Sequence, residues 1–215
     1  MTAAEPRAKR HPAAAQPEQR AGQLHAVPGA VIDLPAAAVA AEAFLAALGV
    51  DTTAPGLVDT PARMARGYAE LFTPRPFTLT TFPNDEGYDE LVLARGIPFQ
   101  SVCEHHLLPF VGVAHVGYLP AERIVGLSKL ARAVDGFAAA PQVQERLTSQ
   151  IADCLQEQLA PRGVGVVLDA EHLCMSVRGV RAAGTRTRTS ALRGCLRDDA
   201  RSRSEFLTLT GAPPA

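Results

Sequence analysis

The chain has 215 residues, a formal net charge of −1, 47% hydrophobic residues and 20% charged residues. This length suits one domain with a substantial core, and the near-neutral charge gives no general reason to expect nucleic acid or a membrane surface as a partner. No apolar run approaches the roughly 18 residues of a membrane-spanning helix, and the N-terminus lacks the apolar centre of a signal peptide. We therefore expect a cytoplasmic protein.

The first 30 residues are rich in Ala, Pro, Gln and Arg and show no apolar period. This composition is typical of disordered segments. A transit peptide is the alternative, but the segment lacks the amphipathic pattern of one. Residues 1–30 are therefore predicted to be a disordered tail, and residues 31–215 one folded domain.

Two helices are predicted next. The first starts at Pro35 and stops at Gly49, and the second has Pro61 at its first position. Arg63 and Arg66 lie in the first turns of the second helix, where the helix dipole disfavours positive charge. Together with the free amides of that turn they would make an anion site, and an ordinary solvated pair is the alternative.

The rest of the chain alternates between strand and helix patterns. Strands are predicted at 89–99, 109–119, 163–170, 173–181 and 186–193, and helices at 127–139, 141–160 and 199–209. Cys154 shares the apolar stripe of the second of these helices, which leaves Gln142, Gln144 and Glu145 off the stripe. The grouped elements indicate an α+β domain with an antiparallel sheet.

Ser101 to Phe110 reads S-V-C-E-H-H-L-L-P-F and places a thiol and two imidazoles within four residues. Cys103 and His106 have a C-x-x-H spacing that lets both reach one ion, and zinc favours such donors. A third donor could be Cys174, which would leave a fourth position open as in catalytic zinc sites. Half of a structural zinc finger is the alternative. A reducing compartment favours metal binding over disulfides for these cysteines.

Positive charge is concentrated near the C-terminus, where residues 175–204 contain eight arginines. Aromatic residues are scarce there, which favours a compact phosphate chain over nucleic acid as the partner. Outside the tail the only lysine is Lys129, and Ser128, Lys129 and Arg132 lie at the start of a predicted helix. Phosphate binding is favoured at such a position.

These segments together resemble the GTP cyclohydrolase I family. The blocks that carry the resemblance between about 32 and 210 are D-T-P-A-R-M-A, Y-D-E-L-V-L, S-V-C-E-H-H-L-L-P-F, G-L-S-K-L-A-R, P-Q-V-Q-E-R-L-T, H-L-C-M-S-V-R-G-V and E-F-L-T-L. The resemblance implies that residues 31–215 are a catalytic domain. It also implies hydrolysis and rearrangement of GTP to 7,8-dihydroneopterin triphosphate and formate, the first step of tetrahydrofolate and pterin biosynthesis.

The resemblance assigns roles to residues by position. It implies zinc ligands at Cys103, His106 and Cys174, proton handling by His105 and His172, and a ribose contact by Ser128. It places Gln144 and Glu145 at the guanine, Lys129, Arg132 and Arg178 on the triphosphate, and Arg63 and Arg66 on the triphosphate of a neighbouring subunit. The implied fold is the tunnel fold, an antiparallel sheet with two helices on one face, here preceded by N-terminal helices. Its subunits join their sheets into a ring and form a homodecamer. Ala140, Cys195 and Leu196 depart from the family pattern and bear on subunit contacts.

The expected chemistry fits these residues. Carbon 8 of guanine is a poor electrophile, and zinc makes water a stronger nucleophile near neutral pH. A protonated His172 would make the ring more electrophilic, and Glu145 can accept two hydrogen bonds from guanine that adenine does not offer. One alternative is an NADPH-dependent deazaguanine nitrile reductase of the same fold, which calls for a nucleophilic cysteine and no zinc site. The other is a non-catalytic, zinc-stabilised purine-binding subunit.

Overall fold

The computed structural model describes residues 31–211, so the predicted disorder of residues 1–30 lies outside the described residues. The helices are α1 (Leu34–Ala47), α2 (Thr60–Leu71), α3 (Leu127–Ala138), α4 (Gln144–Leu159), α5 (Leu173–Ser176), α6 (Cys195–Asp198) and α7 (Ala200–Leu209). The strands are β1 (Thr81–Pro83), β2 (Val92–Cys103), β3 (Pro109–Leu119), β4 (Arg123–Val125), β5 (Pro141–Gln142), β6 (Gly163–His172) and β7 (Arg186–Gly194). None of the described helices is long and apolar enough to cross a bilayer.

α1 and α2 pack against each other ahead of the sheet. The Asp33 carboxylate accepts a hydrogen bond from the Ala36 amide at the start of α1, and Gly49 follows its end with a φ of 79°. Glycine adopts this left-handed conformation at little cost, which confirms the predicted stop. The Asp59 side chain does not cap α2 but pairs with Arg63 one turn along.

A five-stranded sheet in the order β5-β2-β3-β6-β7 forms the centre of the domain. All its neighbouring strands are antiparallel except the short β2–β5 pair, while β1 and β4 form a separate two-stranded sheet. The strand predicted at 89–99 runs from Val92 to Cys103 instead. A bulge between Ala94 and Ile97 lets it continue alongside β3, which places Cys103 at the strand end.

Two apolar clusters hold the layers together. Between the sheet and the helices α3 and α4, the apolar face of α4 contributes Leu147, Ile151 and Leu155, all fully buried. Cys154 is buried as predicted, and burial, with a smaller contribution from Glu157, raises the pKa of its thiol to about 11. α7 covers part of the opposite sheet face.

Phe206 of α7 lies against two glycines of the sheet. A Cβ at Gly165 would come within 2.6 Å of the Phe206 ring, and one at Gly117 within 3.1 Å. The absence of side chains at these positions lets the ring approach the strands, so it is fully buried. The helices therefore occupy both faces of the sheet.

Two sequence-based predictions are wrong. Residues 173–181 do not form a strand: Leu173–Ser176 is one helical turn, and Gly179 and Arg181 have positive φ. Val177 and Val180, which lie three residues apart, are both exposed, so no sheet face stabilises an extended chain in this segment. The helix predicted from 141 begins at Gln144, because Pro141–Gln142 pairs with the end of β2.

Candidate metal centre and active site

The turn after β2 brings Cys103 and His106 together. The Cys103 amide donates to the Leu108 carbonyl, and the Leu107 amide donates to the Cys103 carbonyl at 2.8 Å. Leu107 has a φ of 52°, an uncommon conformation that closes the turn tightly. The Cys103 Sγ lies 3.9 Å from Nδ1 of His106, so the predicted pairing is present.

Cys174 reaches the same place from a distant part of the chain. β6 pairs with β3 so that His172 lies opposite Phe110, and α5 follows directly. The donor atoms of Cys103, His106 and Cys174 all lie within 4.8 Å of one another. The tertiary structure thus brings together the three residues predicted as metal ligands.

The donor chemistry fits zinc. Two thiols and one imidazole are donors that zinc prefers, and three protein ligands are typical of catalytic sites. Burial raises the pKa of Cys174, and the neighbouring Cys103 raises it further. Two adjacent thiols resist joint ionisation unless a cation compensates their charge. A dication held among these atoms would supply that compensation.

His105 and His106 point their rings in different directions, with an angle of 79° between the ring planes. The His105 Nδ1 lies 3.9 Å from the Cys103 Sγ, and its Nε2 lies 3.9 Å from the Glu104 carboxylate. The His105 side chain is 64% exposed. It therefore lies at the open side of the metal centre, where a substrate can reach it.

His172 is held by two neighbours. Its ring stacks on Phe110 with centroids 4.5 Å apart, and its Nε2 lies 2.7 Å from Oε1 of Gln144. Burial lowers the pKa of His172, although the nearby Glu145 carboxylate opposes the shift. The free protein therefore favours the neutral ring rather than the protonated ring expected from the chemistry.

The first turn of α4 carries Gln144 and Glu145 into the site. Gln144, expected off the apolar stripe, is only 1% exposed, whereas Glu145 is exposed and is the acidic residue of that turn. The helix dipole stabilises a carboxylate there. Glu145 is close enough to His172 for its charge to act on the pKa of that ring.

Arg146, which sequence reasoning missed, connects α4 to the metal-binding turn. Its guanidinium donates to the Glu104 carboxylate, the Pro141 carbonyl and the Gln142 side chain. The hydrogen bond from Arg146 lowers the pKa of Glu104. The spacing of four residues between Gln142 and Arg146 was a usable signal, but the contact of Arg146 with Glu104 was not visible in the sequence.

The C-terminal arginines divide into two groups. Arg186 and Arg188 pair with Asp169, Arg193 with Asp153, and Arg197 with Asp198. These ion pairs leave less unpaired positive charge in residues 175–204 than the count of arginines indicates. Arg178 makes no ion pair with any residue from 31 to 211, and it lies close enough to Cys174 to lower that thiol's pKa. It remains available for an anion beside the metal centre.

The other predicted phosphate residues lie on α2 and α3. Ser128, Lys129 and Arg132 occupy the first half of α3, and Arg132 lines a surface cavity of about 310 Å³ together with Arg75, Pro76 and Asp135. Arg75 was not identified from the sequence. On α2, Arg63 is paired with Asp59 and Arg66 is exposed.

Tyr68 connects α2 to the metal-binding turn. Its hydroxyl donates to the Leu107 carbonyl at 3.0 Å. Nothing in the sequence pattern indicated this contact, because it joins residues that are far apart in the chain. The helix that bears Arg63 and Arg66 thus touches the metal-binding turn of its own chain.

Known proteins are similar to this chain over most of its length. Residues 37–211 match the family described as GTP cyclohydrolase I. The GTP cyclohydrolase 1 of Mycobacteroides abscessus is 55% identical over 188 residues, which cover 84% of this chain and 91% of that protein. The enzyme of the same name from Thermobifida fusca is 51% identical over 198 residues, which cover 89% of this chain and 96% of that protein.

A more remote similarity is found among solved structures. The apo archaeosine synthase QueF-Like superposes with a TM-score of 0.38 and 17% identity, covering 50% of this chain and 94% of that one, a likeness too low to carry an argument. The family match spans most of the chain, and the relatives above share more than half of the aligned residues. The chain therefore belongs to the GTP cyclohydrolase I family of enzymes.

Proposed function

We propose that this protein converts GTP and water to 7,8-dihydroneopterin triphosphate and formate, with zinc held by Cys103, His106 and Cys174. The convergence of those three donors beside His172 and Glu145 carries the proposal. Bound zinc would supply a water whose pKa is lowered toward ~7. The product would enter tetrahydrofolate or another pterin pathway.

Guanine recognition falls to Glu145. Its carboxylate can accept hydrogen bonds from guanine N1–H and the 2-amino group, and adenine offers no such pair. An exposed carboxylate at a helix start, close to His172, is free to make this contact. A base that leaves this carboxylate desolvated and unpaired binds less favourably by several kcal/mol. That difference is enough for strong discrimination of guanine from adenine.

The remaining residues bind and orient the substrate. We expect His172 to exchange a proton with the purine, the exposed His105 to act in the later steps, and Ser128 to contact the ribose. Lys129, Arg132 and Arg178 carry the positive charge for the triphosphate. The several proton transfers of ring opening and ring closure call for more than one such group.

Arg63 and Arg66 are expected to act across a subunit contact. A triphosphate bears close to four negative charges, which a single group of arginines would not fully neutralise. We expect a neighbouring subunit of a ring-forming homodecamer to contribute Arg63 and Arg66. Cyclic assembly would repeat one such contact around the ring.

The test is incubation of the zinc-loaded protein with GTP, followed by oxidation, fluorescence detection of neopterin and measurement of formate. We expect equal amounts of both products and no turnover of ATP. NADPH consumption with a deazaguanine nitrile would support the reductase alternative. Guanine nucleotide binding without formate release would support the non-catalytic alternative.

A further inference from the structure

Gln144 has all its hydrogen-bonding groups engaged while only 1% exposed. Its Nε2 lies 2.9 Å from the Thr187 carbonyl, 3.1 Å from the Thr189 hydroxyl and 3.2 Å from the Leu168 carbonyl. An amide nitrogen donates and does not accept, so these acceptors determine its direction. A flipped amide would place its oxygen against two carbonyl oxygens. The Oε1 therefore faces His172.

This orientation determines which nitrogen of His172 carries hydrogen. The Gln144 Oε1 only accepts, so the His172 Nε2, 2.7 Å away, must be the donor. Stacking on Phe110 holds the plane of the ring. Within the described part of the chain, the Nδ1 of His172 has no hydrogen-bond partner. One ring nitrogen is committed to the protein and the other is left for a ligand.

We infer that Gln144 is a positioning residue and not a guanine ligand: it commits the Nε2–H of His172, so that Nδ1 is the nitrogen presented to the substrate. This inference rests on the proposed function and revises the role that the family resemblance implies for Gln144. A primary amide does not relay protons at neutral pH. Proton exchange between His172 and the purine therefore passes through Nδ1.

The kinetic consequence is specific. Gln144→Met keeps the length of the side chain but removes the acceptor for Nε2–H, so the ring can rotate or change tautomer. We expect kcat to fall by about 100-fold, because a misplaced catalytic group costs about that factor. The KM for GTP, and the Kd for GTP measured on zinc-depleted protein, should change by less than about threefold because the contact is not with substrate.

Gln144→Glu tests whether a different side chain with an acceptor oxygen restores the kcat lost in Gln144→Met. A buried carboxyl surrounded by carbonyl oxygens favours its neutral form, which keeps one oxygen to accept from Nε2–H and one hydroxyl to donate to Thr187. We expect this variant to recover most of the kcat lost in Gln144→Met.

Thr189→Val is the matched control. It removes the hydroxyl that contacts Gln144 Nε2 and the Thr148 hydroxyl, but it leaves the Oε1 contact with His172 intact. It should lower stability with kcat near the wild-type value. A tenfold rise in KM and in Kd for Gln144→Met, with kcat retained, would overturn the inference. Equal kcat losses in Gln144→Met and Thr189→Val would overturn it as well.

A second measurement does not require that Gln144→Met folds. A high-resolution crystal structure of the wild-type protein with zinc and a non-hydrolysable GTP analogue should show Gln144 bonded to His172. A hydrogen bond from Gln144 to guanine would overturn the inference. A wild-type protein that releases no formate from GTP would defeat the proposed function and this inference together, whereas an active wild type with the contrary variant kinetics defeats this inference alone.

Discussion

The Phe110 ring lies flat on the His172 imidazole, with ring centroids 4.5 Å apart and planes inclined by only 4°. Phe110 is fully buried at the start of β3, and β6 pairs with β3 so that His172 is its direct partner. The strand pairing that forms the sheet thus also orients a candidate catalytic ring. Stability and activity should be coupled at this contact.

Phe110→Leu should lower the free energy of unfolding by roughly 1–2 kcal/mol, because part of a buried ring is lost. It should also lower kcat by about tenfold, since His172 loses the surface that holds its plane. Urea unfolding and formate release measure the two effects. Phe99→Leu is the control, because Phe99 packs edge-on against Phe110 at 6.0 Å. It should cost similar stability with a smaller loss of kcat. Equal kcat losses would contradict the role of the stack.

Cys103→Ala and Cys174→Ala should each reduce bound zinc from about one per subunit to below roughly a tenth, because each removes one of three protein ligands. Elemental analysis after dialysis measures the content. Cys154→Ala is the control, since this thiol is buried away from the donor set. Full zinc occupancy in the Cys174 variant would rule out its role as a ligand.

Glu145→Gln should lower kcat/KM for GTP by about 100-fold or more, because an amide cannot accept both guanine hydrogen bonds. Its stability should change by less than about 1 kcal/mol, the typical contribution of a carboxylate at an exposed helix start. Glu157→Gln on the same helix makes the same charge change at an exposed position. It should leave kcat/KM unaltered. Wild-type kcat/KM in the Glu145 variant would remove this residue from the site.

Asp169 should make the free energy of unfolding depend on pH in the acidic range. Burial raises the pKa of this carboxyl, but hydrogen bonds and charge from Arg186 and Arg188 outweigh burial and hold the pKa below its ordinary value. A lowered pKa in the folded state stabilises the protein above the unfolded pKa of about 3.9, and that contribution is lost as pH falls through the folded value.

Asp169→Asn should therefore reduce the free energy of unfolding at pH 7 by about 1–3 kcal/mol, because charged hydrogen bonds are lost. The difference from wild type should narrow below about pH 4. Asp198→Asn breaks an exposed pair, with side chains 60% and 64% exposed, and should have little effect at either pH. If the wild type and Asp169→Asn differ in free energy of unfolding by the same amount at pH 7 and at pH 3, the expectation is contradicted.

Subunit complementation tests the shared site. Arg63→Ala and Cys174→Ala should each be nearly inactive alone, the first from loss of a triphosphate contact and the second from loss of zinc. If a neighbouring subunit contributes Arg63, a mixed oligomer contains some intact sites and regains activity. Labelled subunits would confirm the mixing. Mixing without recovery would place Arg63 in the site of its own chain, as the contact from Tyr68 to Leu107 would permit.

Local sequence determined the parts of this protein that depend on nearby residues. Cys103 and His106 meet because one tight turn contains both, so their spacing was sufficient to predict the pair. The alternation at 109–119 predicted β3 with its observed bounds. The apolar spacing around Cys154 predicted its burial in α4. In each case the determining contacts lie within a few turns or within one strand.

Tertiary structure decided the rest. The β3–β6 pairing brings Cys174 to Cys103 and places His172 on Phe110, in each case across more than sixty residues of sequence. Gln144 was predicted to lie off the apolar stripe of its helix, but β7 lies over it and supplies acceptors from Thr187 and Thr189. The segment after Cys174 was predicted to be a strand, yet no strand within residues 31–211 pairs with it. Helix periodicity and strand alternation report which face of an element is apolar, and only packing decides what that face meets.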